Sequence, residues 1–157
     1  SVLEGIGTRA EALVQDVRRI IEGLRPASLQ SRGLGAAIKE AAGRLASGLH
    51  LDVDAPDELP GLEPEAEVTV FRVAVEAVLN AARHAQADAV RVRIVPEDDV
   101  LVVQIDDDGR GLRGAEPGVG IRSMRERVEA MGGAFNVGEG EGGRGTTVSV
   151  RIPWGES

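Results

Sequence analysis

Two stretches carry most of the information in this chain: residues 76–84 read EAVLNAARH, and residues 106–111 read DDDGRG. The first stretch is apolar with helical periodicity, which puts Glu76 and Asn80 on one helix face, one turn apart. The second ends an alternating, strand-like run with acids and glycines, which do not suit a buried core. A carboxylate, an amide oxygen and a glycine-rich turn together predict a pocket for a magnesium–nucleotide complex.

The hydrophobic pattern around these stretches predicts one α/β domain. Apolar residues recur with helical spacing in three segments, at about 34–45, 63–85 and 121–131. Alternation of apolar and polar residues predicts five short strands, at about 49–53, 90–94, 101–105, 134–137 and 147–152. Residues 97–99 are expected to close a hairpin. We therefore expect a two-layer α/β sandwich with a mixed sheet of about five strands, preceded by a heptad-patterned helix.

That first helix has a seam of apolar residues spaced three and four apart, namely Leu3, Ile6, Ala10, Leu13, Val17, Ile20 and Leu24. Such a seam is typical of a dimerisation helix. The alternative, a single amphipathic helix packed on its own domain, is not excluded by the pattern. Pro26 is expected to end it. We divide the chain into residues 1–25, a partial dimerisation helix, and 26–157. The helical pattern already present at Ser1 suggests a fragment.

Composition limits the classes of function. The 157 residues are 42% hydrophobic and 28% charged, with 18 basic and 26 acidic residues and a net charge of −8. A net acidic chain lacks the basic surface of a nucleic-acid binder. Without cysteine there is no disulfide, thiol nucleophile or Cys-based zinc site. No apolar run approaches the roughly 20 residues of a membrane span and no signal peptide opens the chain, so a cytoplasmic setting is expected.

Other polar positions each allow a ligand-binding and a purely structural interpretation. Gly118 and Gly120 precede a helix whose N–H groups could bind phosphate, behind a glycine-rich loop at 109–120 expected to act as a lid. Asp107 could accept the amine of adenine or simply form a turn, and Thr146 could join the base site or a hairpin turn. Four further residues fit solvated or capping roles at least as well: Arg122, Arg125, His50 and His84. Asp106 and Asp108 are interpreted as solvated neighbours.

The order of these motifs resembles a known family. Glu-x-x-x-Asn, Asp-x-Gly-x-Gly, Gly-x-Gly before a helix and Gly-Thr before a strand are similar to the ATP-binding domain of sensor histidine kinases, type II topoisomerases, heat-shock chaperones and mismatch-repair ATPases. The resemblance covers about residues 34–153. Residues 120–133, GIRSMRERVEAMGG, resemble the nitrate-sensor and desaturase-sensor histidine kinases in particular. Residues 23–26, GLRP, and 33–34 resemble that subfamily's junction between its dimerisation and ATP-binding domains.

The resemblance implies a role for each matching residue. Asn80 would hold Mg²⁺, and Glu76 would assist it or orient a water, so these two form the implied catalytic pair. Asp107 would receive the adenine amine. The other implied nucleotide-binding positions line the base or the phosphates: Arg83, His84, Gly109, Gly111, Gly118, Gly120 and Thr146.

One departure from the family limits what this chain is expected to do. The family phosphorylates a histidine in the first helix of its dimerisation domain, whereas residues 1–25 resemble only the second helix. Neither His50 nor His84 has the acceptor context. We therefore expect a histidine kinase catalytic domain that binds ATP and Mg²⁺ but does not autophosphorylate alone. Its expected partners are the acceptor helix of the parent protein, a response regulator and a second copy through residues 1–25.

Two alternatives stay open from the sequence. One is a serine kinase of the anti-sigma-factor type, which has the same fold. The other is a non-catalytic nucleotide-binding module. A membrane anchor elsewhere in the parent protein is compatible with all three.

Overall fold

A computed structural model of the chain describes Leu29, residues 33–111 and residues 119–154. The three helices and five strands predicted after residue 33 are all present there, with bounds shifted by a few residues. The helices are α1 (Leu34–Leu45), α2 (Pro64–Arg83) and α3 (Val119–Ala130), and a 3-10 turn spans Glu141–Gly143. The strands are β1 (His50–Asp54), β2 (Ala89–Glu97), β3 (Val100–Asp107), β4 (Ala134–Glu139) and β5 (Thr146–Pro153).

The strands form one mixed sheet in the order β1-β2-β3-β5-β4. β1 runs parallel to β2, and the other pairs are antiparallel. Buried residues alternate with more exposed ones along β2, β3 and β5, so one face of the sheet is covered and the other meets solvent. The expected α/β sandwich with a mixed five-stranded sheet is confirmed.

Helix α2 is the central helix of the covering layer. It contacts β2, β3, β5, α1 and α3, and 11 of its 20 residues are buried. Pro64 occupies the first helical turn, where a missing N–H costs nothing, and Glu65 and Glu67 complement the helix dipole. Because so much of its circumference is apolar and covered, a polar side chain on α2 has to be explained by something other than solvent.

The heptad segment and the proposed boundary at residue 25 lie outside the described residues, as does the lid segment 112–118. Within the part of the chain that is described, no helix combines the length and apolar character needed to cross a membrane.

Candidate functional site

Glu76 and Asn80 lie one turn apart on α2, near its C-terminal end. Glu76 is only 8% exposed, and Asn80 is half-buried. A solvent-facing interpretation therefore does not hold for Glu76. A carboxylate and an amide oxygen are the ligand types that Mg²⁺ takes, usually with several waters retained. The donor set fits that ion.

Metal binding at this place would depend on those two side chains together with water and ligand oxygens. Across Leu29 and residues 33–111 and 119–154, no group of three or more His, Cys, Asp or Glu side chains is arranged to hold a metal ion. Mg²⁺ is commonly held in this way, by one or two protein ligands plus the phosphates of a substrate.

Asp107 ends β3 and faces the first residue of β5. Its Oδ1 accepts the backbone N–H of Gly109 at 2.9 Å and that of Thr146 at 3.3 Å. Both bonds go to Oδ1, which leaves Oδ2 to accept a hydrogen bond from a ligand. Burial raises the pKa of the Asp107 carboxyl, more than the two N–H groups lower it.

The turn after Asp107 packs against its neighbours through glycines. A Cβ on Gly109 would lie 2.5 Å from both the Cβ and the carbonyl oxygen of Ala85, just beyond α2. Gly111 has φ +75°, and a Cβ there would lie 2.9 Å from the carbonyl oxygen of Gly145. A Cβ on Gly145, at φ +72°, would overlap the carbonyl oxygen of Asp107. The turn, the end of α2 and the start of β5 therefore meet backbone to backbone.

Asp106 is more than a solvated neighbour, contrary to the sequence interpretation. It lies opposite Thr147 in the β3–β5 pairing. Its Oδ1 accepts the Thr147 hydroxyl at 2.5 Å, and its Oδ2 accepts the side-chain amide of Gln104 at 2.9 Å. Asp106 thus joins β3 to β5 on the sheet face opposite to the helices.

Asp108 also departs from the interpretation as a solvated neighbour. Its side chain is exposed, yet Oδ1 accepts the backbone N–H groups of Asp88 at 2.9 Å and Ala89 at 3.0 Å. The N–H of Ala89 is the main reason why the pKa of the Asp108 carboxyl is lowered. Aspartate readily accepts from backbone N–H groups, but sequence alone does not say which distant ones.

His84 is the residue at the C-terminal cap of α2. It follows the last turn of α2, is exposed, and donates its backbone N–H to the Asn80 carbonyl at 2.8 Å. Its own carbonyl accepts from Arg110 Nη2 at 3.0 Å. A guanidinium at this place complements the negative end of the helix dipole. Arg110 was not singled out from the sequence. It belongs to the place where the turn after β3, the end of α2 and the start of β5 meet, which we call the junction.

The other candidate residues that the structure describes lie on α2, β5 and α3. Arg83 is exposed in the last turn of α2, Thr146 is 9% exposed at the start of β5, and Gly120 lies in the first turn of α3. Gly118 lies outside the described residues. The guanidinium of Arg125 lies 5.6 Å from the centroid of the Phe135 ring, which supports a packing role.

A cavity of about 270 Å³ lies against the outer side of the junction. Its lining comes from the second and third residues after α2, from the turn after β3 and from the loop before β5: Ala85, Gln86, Asp108, Gly109, Arg110, Gly143, Arg144 and Gly145. Gly109, one of the predicted nucleotide-binding residues, lines this cavity, whereas Asn80 and Asp107 do not.

Residues 65–156 match the family model described as Histidine kinase-, DNA gyrase B-, and HSP90-like ATPase. The chain is 33% identical over 157 residues to the oxygen sensor histidine kinase NreB of Staphylococcus carnosus (strain TM300), covering 96% of this chain and 44% of NreB. It is 34% identical over 142 residues to the signal transduction histidine-protein kinase/phosphatase UhpB of Salmonella typhimurium, covering 87% of this chain and 28% of UhpB. The chain thus spans less than half the length of these relatives.

Solved structures show the same architecture. The histidine kinase domain from the Erythrobacter litoralis EL346 blue-light activated histidine kinase superposes with a TM-score of 0.63 at 28% identity, covering 76% of this chain and 60% of that one. The ATP binding domain of PrrB from Mycobacterium tuberculosis has a TM-score of 0.63 at 21% identity, covering 78% and 95% of the two chains, and it supports the fold alone. Nothing in these comparisons supports a serine kinase.

Proposed function

Because this chain belongs to the histidine kinase-, DNA gyrase B- and HSP90-like ATPase family, and within it to the histidine kinase type, we propose that it is the part of a two-component sensor kinase that binds Mg-ATP and presents the γ-phosphoryl group to a histidine. The ATP-binding domain itself follows from the family. The magnesium ion, the transfer step and the partners are our proposal.

The arrangement around Asp107 carries this proposal. The carboxylate has one oxygen occupied by backbone N–H groups and the other available to an adenine amine. The glycine-packed turn places it beside the end of the helix that bears Glu76 and Asn80. The proposed base-binding acceptor and the proposed pair of metal ligands thus lie on adjoining elements, which supports one site for both.

Asn80 and Glu76 would hold Mg²⁺, which supplies positive charge to the phosphate oxygens when it is bound. Glu76 would also orient a water, since its burial limits the directions in which it can accept a hydrogen bond. Arg83, exposed beside them, would approach the phosphates. The contribution of this chain is then to orient the nucleotide and stabilise charge, which are the main protein contributions in phosphoryl transfer.

The acceptor histidine is proposed to lie on another helix of the parent protein. His50 is exposed at the start of edge strand β1, and His84 ends α2. Neither lies on a helix that could dock as a phosphoacceptor. Residues 1–25 are proposed to contribute one helix to a dimeric bundle, and an aspartate of a response regulator is proposed to receive the phosphoryl group. We propose a cytoplasmic location for this domain.

Thermal unfolding with Mg-ADP, Mg-ATP and metal-free nucleotide tests the proposal. At about 100 times its dissociation constant, bound nucleotide adds roughly 2.7 kcal/mol and raises Tm by several degrees. Asn80→Ala is expected to lose most of the additional rise in Tm that magnesium gives. The rise in Tm with metal-free ADP should fall less. Asn136→Ala, at an exposed site on β4, is the matched control. Equal losses with and without magnesium would contradict the ligand role, and a parent chain with no shift would contradict nucleotide binding.

Nucleotide affinity is also expected to fall in mildly acidic solution. The adenine amine needs an ionised acceptor, and burial raises the pKa of Asp107 in the free protein. Affinity for ADP should therefore fall as the pH is lowered through this raised pKa. Calorimetric titration from pH 7.5 to about 4.5 measures this. A fall of the same size in Asp107→Asn would assign the effect to another group.

A further inference from the structure

The turn after β3 is tied to the segment between α2 and β2 by hydrogen bonds in both directions. Asp108 accepts the backbone N–H groups of Asp88 and Ala89 through Oδ1. Its own N–H donates to the Ala89 carbonyl at 3.3 Å. One exposed side chain therefore accepts hydrogen bonds from two backbone N–H groups. These bonds fix the position of the start of β2 relative to the end of β3.

A second set of bonds fixes the end of α2 to the same turn. The N–H of Arg110 donates to the Ala85 carbonyl at 2.9 Å, and its guanidinium donates to the His84 carbonyl. Ala85 in turn donates its N–H to the Asn80 carbonyl at 3.4 Å. The path from Asp108 to the metal-binding face of α2 is therefore short and made of backbone groups.

We infer that Asp108 is a positioning residue for the nucleotide site: its carboxylate oxygen holds the Asp107 turn against the end of α2, so that the base-binding and metal-binding groups keep a fixed separation. This inference rests on the proposed function, since the separation matters only if one ligand spans both. Asp108 does not touch the nucleotide in this arrangement.

The geometry supports a hydrogen-bonding role over a role of charge. Asp108 is exposed, so its charge is screened by water and salt. Its Oδ1, in contrast, receives both N–H groups with lengths of 2.9 and 3.0 Å. An asparagine can present the same oxygen to both groups while its amide nitrogen faces solvent. A glutamate keeps the charge but displaces the acceptor by one methylene.

The test is the affinity of the 157-residue chain for Mg-ADP, measured by calorimetry in Asp108→Asn, Asp108→Glu and Asp108→Ala. We expect Asn to bind within about threefold of the parent, and Glu and Ala to bind about tenfold more weakly. Asp99→Ala, which removes an equal charge from the exposed turn at the far end of β3, should match the parent. Circular dichroism confirms folding, and if Ala does not fold, the order of Asn and Glu still decides.

A double-mutant cycle with Asn80→Ala separates positioning from local stability. If Asp108 fixes the separation of the two subsites, Asn80→Ala should cost less affinity in the Asp108→Ala background than in the parent. Residues that act independently give additive losses. For the cycle, Asp108→Glu replaces Asp108→Ala if the latter does not fold.

Three results would overturn the inference while the parent binds Mg-ADP: unchanged affinity in all Asp108 variants, Glu retaining affinity while Asn loses it, or additive losses in the cycle. A parent chain that does not bind Mg-ADP would overturn the proposed function, and the inference with it. The affinity of the unsubstituted chain for Mg-ADP therefore distinguishes the two failures.

Discussion

Asp107→Asn is expected to weaken ADP and ATP binding by about 100-fold while the chain stays folded. A hydrogen bond to a charged group contributes about 1.5–3 kcal/mol, and each 1.4 kcal/mol is tenfold in affinity. The substitution also replaces the hydrogen-bond acceptor that the adenine amine meets with a donor. The asparagine oxygen is required by the N–H groups of Gly109 and Thr146, so its NH₂ group would face the NH₂ group of adenine.

Folding should survive because the two internal hydrogen bonds are kept and no volume is added. Because burial raises the pKa of Asp107, keeping its carboxylate ionised in the folded state costs free energy of folding, and a neutral amide removes that cost. Tm without ligand is therefore expected to change by only a few degrees. Asp99→Asn serves as the charge control. The measurement is calorimetric titration with ADP, beside thermal unfolding of the free chains.

The same reversal makes a prediction about the base. Inosine diphosphate has a carbonyl oxygen where ADP has its amine, and an asparagine NH₂ can donate to it. The preference of the parent for ADP over IDP should therefore shrink or invert in Asp107→Asn. If ADP affinity were unchanged, or if IDP lost as much affinity as ADP, the assignment of Asp107 as the base acceptor would be wrong.

Gly145→Ala is expected to destabilise the chain by about 2–5 kcal/mol and to damage the site. The added Cβ would overlap the carbonyl oxygen of Asp107, and the residue has φ +72°. Left-handed backbone costs a non-glycine residue about 1–2 kcal/mol, and overpacking adds about 1–3 kcal/mol. For a chain of this size, a loss of that size lowers Tm by roughly 5–20 °C. Because the obstruction is backbone, relief requires β5 to move away from β3.

Gly142→Ala is the matched control for this substitution. Gly142 lies in the same β4–β5 connection with φ +72°, but a Cβ there meets nothing within 4 Å. It should show only the backbone cost of about 1–2 kcal/mol. Thermal unfolding of the two variants therefore isolates the close approach. Equal losses of Tm at Gly142 and Gly145 would show that the backbone angle alone is responsible.

The local elements were predictable because their signals are local. Alternation along β2 and β3 and the glycine pair after α3 are examples. Gly132 has φ +77°, and the N–H of Gly133 bonds back to the Val128 carbonyl at 3.0 Å, as expected at a helix end. The pairing of strands was not predictable in this way. Alternation does not encode the direction of β1 or the placement of β5 between β3 and β4, which depend on contacts far apart in sequence.

The residues of the candidate site also fall into those that the sequence predicts and those that it does not. Asp107 and Asn80 stood out because their residue types are unusual for their positions, an acid at a strand end and an amide within an apolar helix. Asp108 and Arg110 did not stand out, because exposed charged residues in a turn usually face solvent. Their partners are backbone groups of residues 84–89, and backbone groups leave no trace in a sequence.

The glycine junction also has an evolutionary consequence. At Gly109 and Gly145 the atoms that exclude a side chain include carbonyl oxygens, of Ala85 and Asp107 respectively. A substitution at Ala85 or Asp107 changes a side chain and leaves the carbonyl oxygen in place. No second mutation there can therefore make room for a side chain at Gly109 or Gly145. These contacts would therefore leave no pair of covarying positions in a set of related sequences. Divergence at this corner of the molecule is left to residues between the glycines that make none of these bonds, such as Arg144.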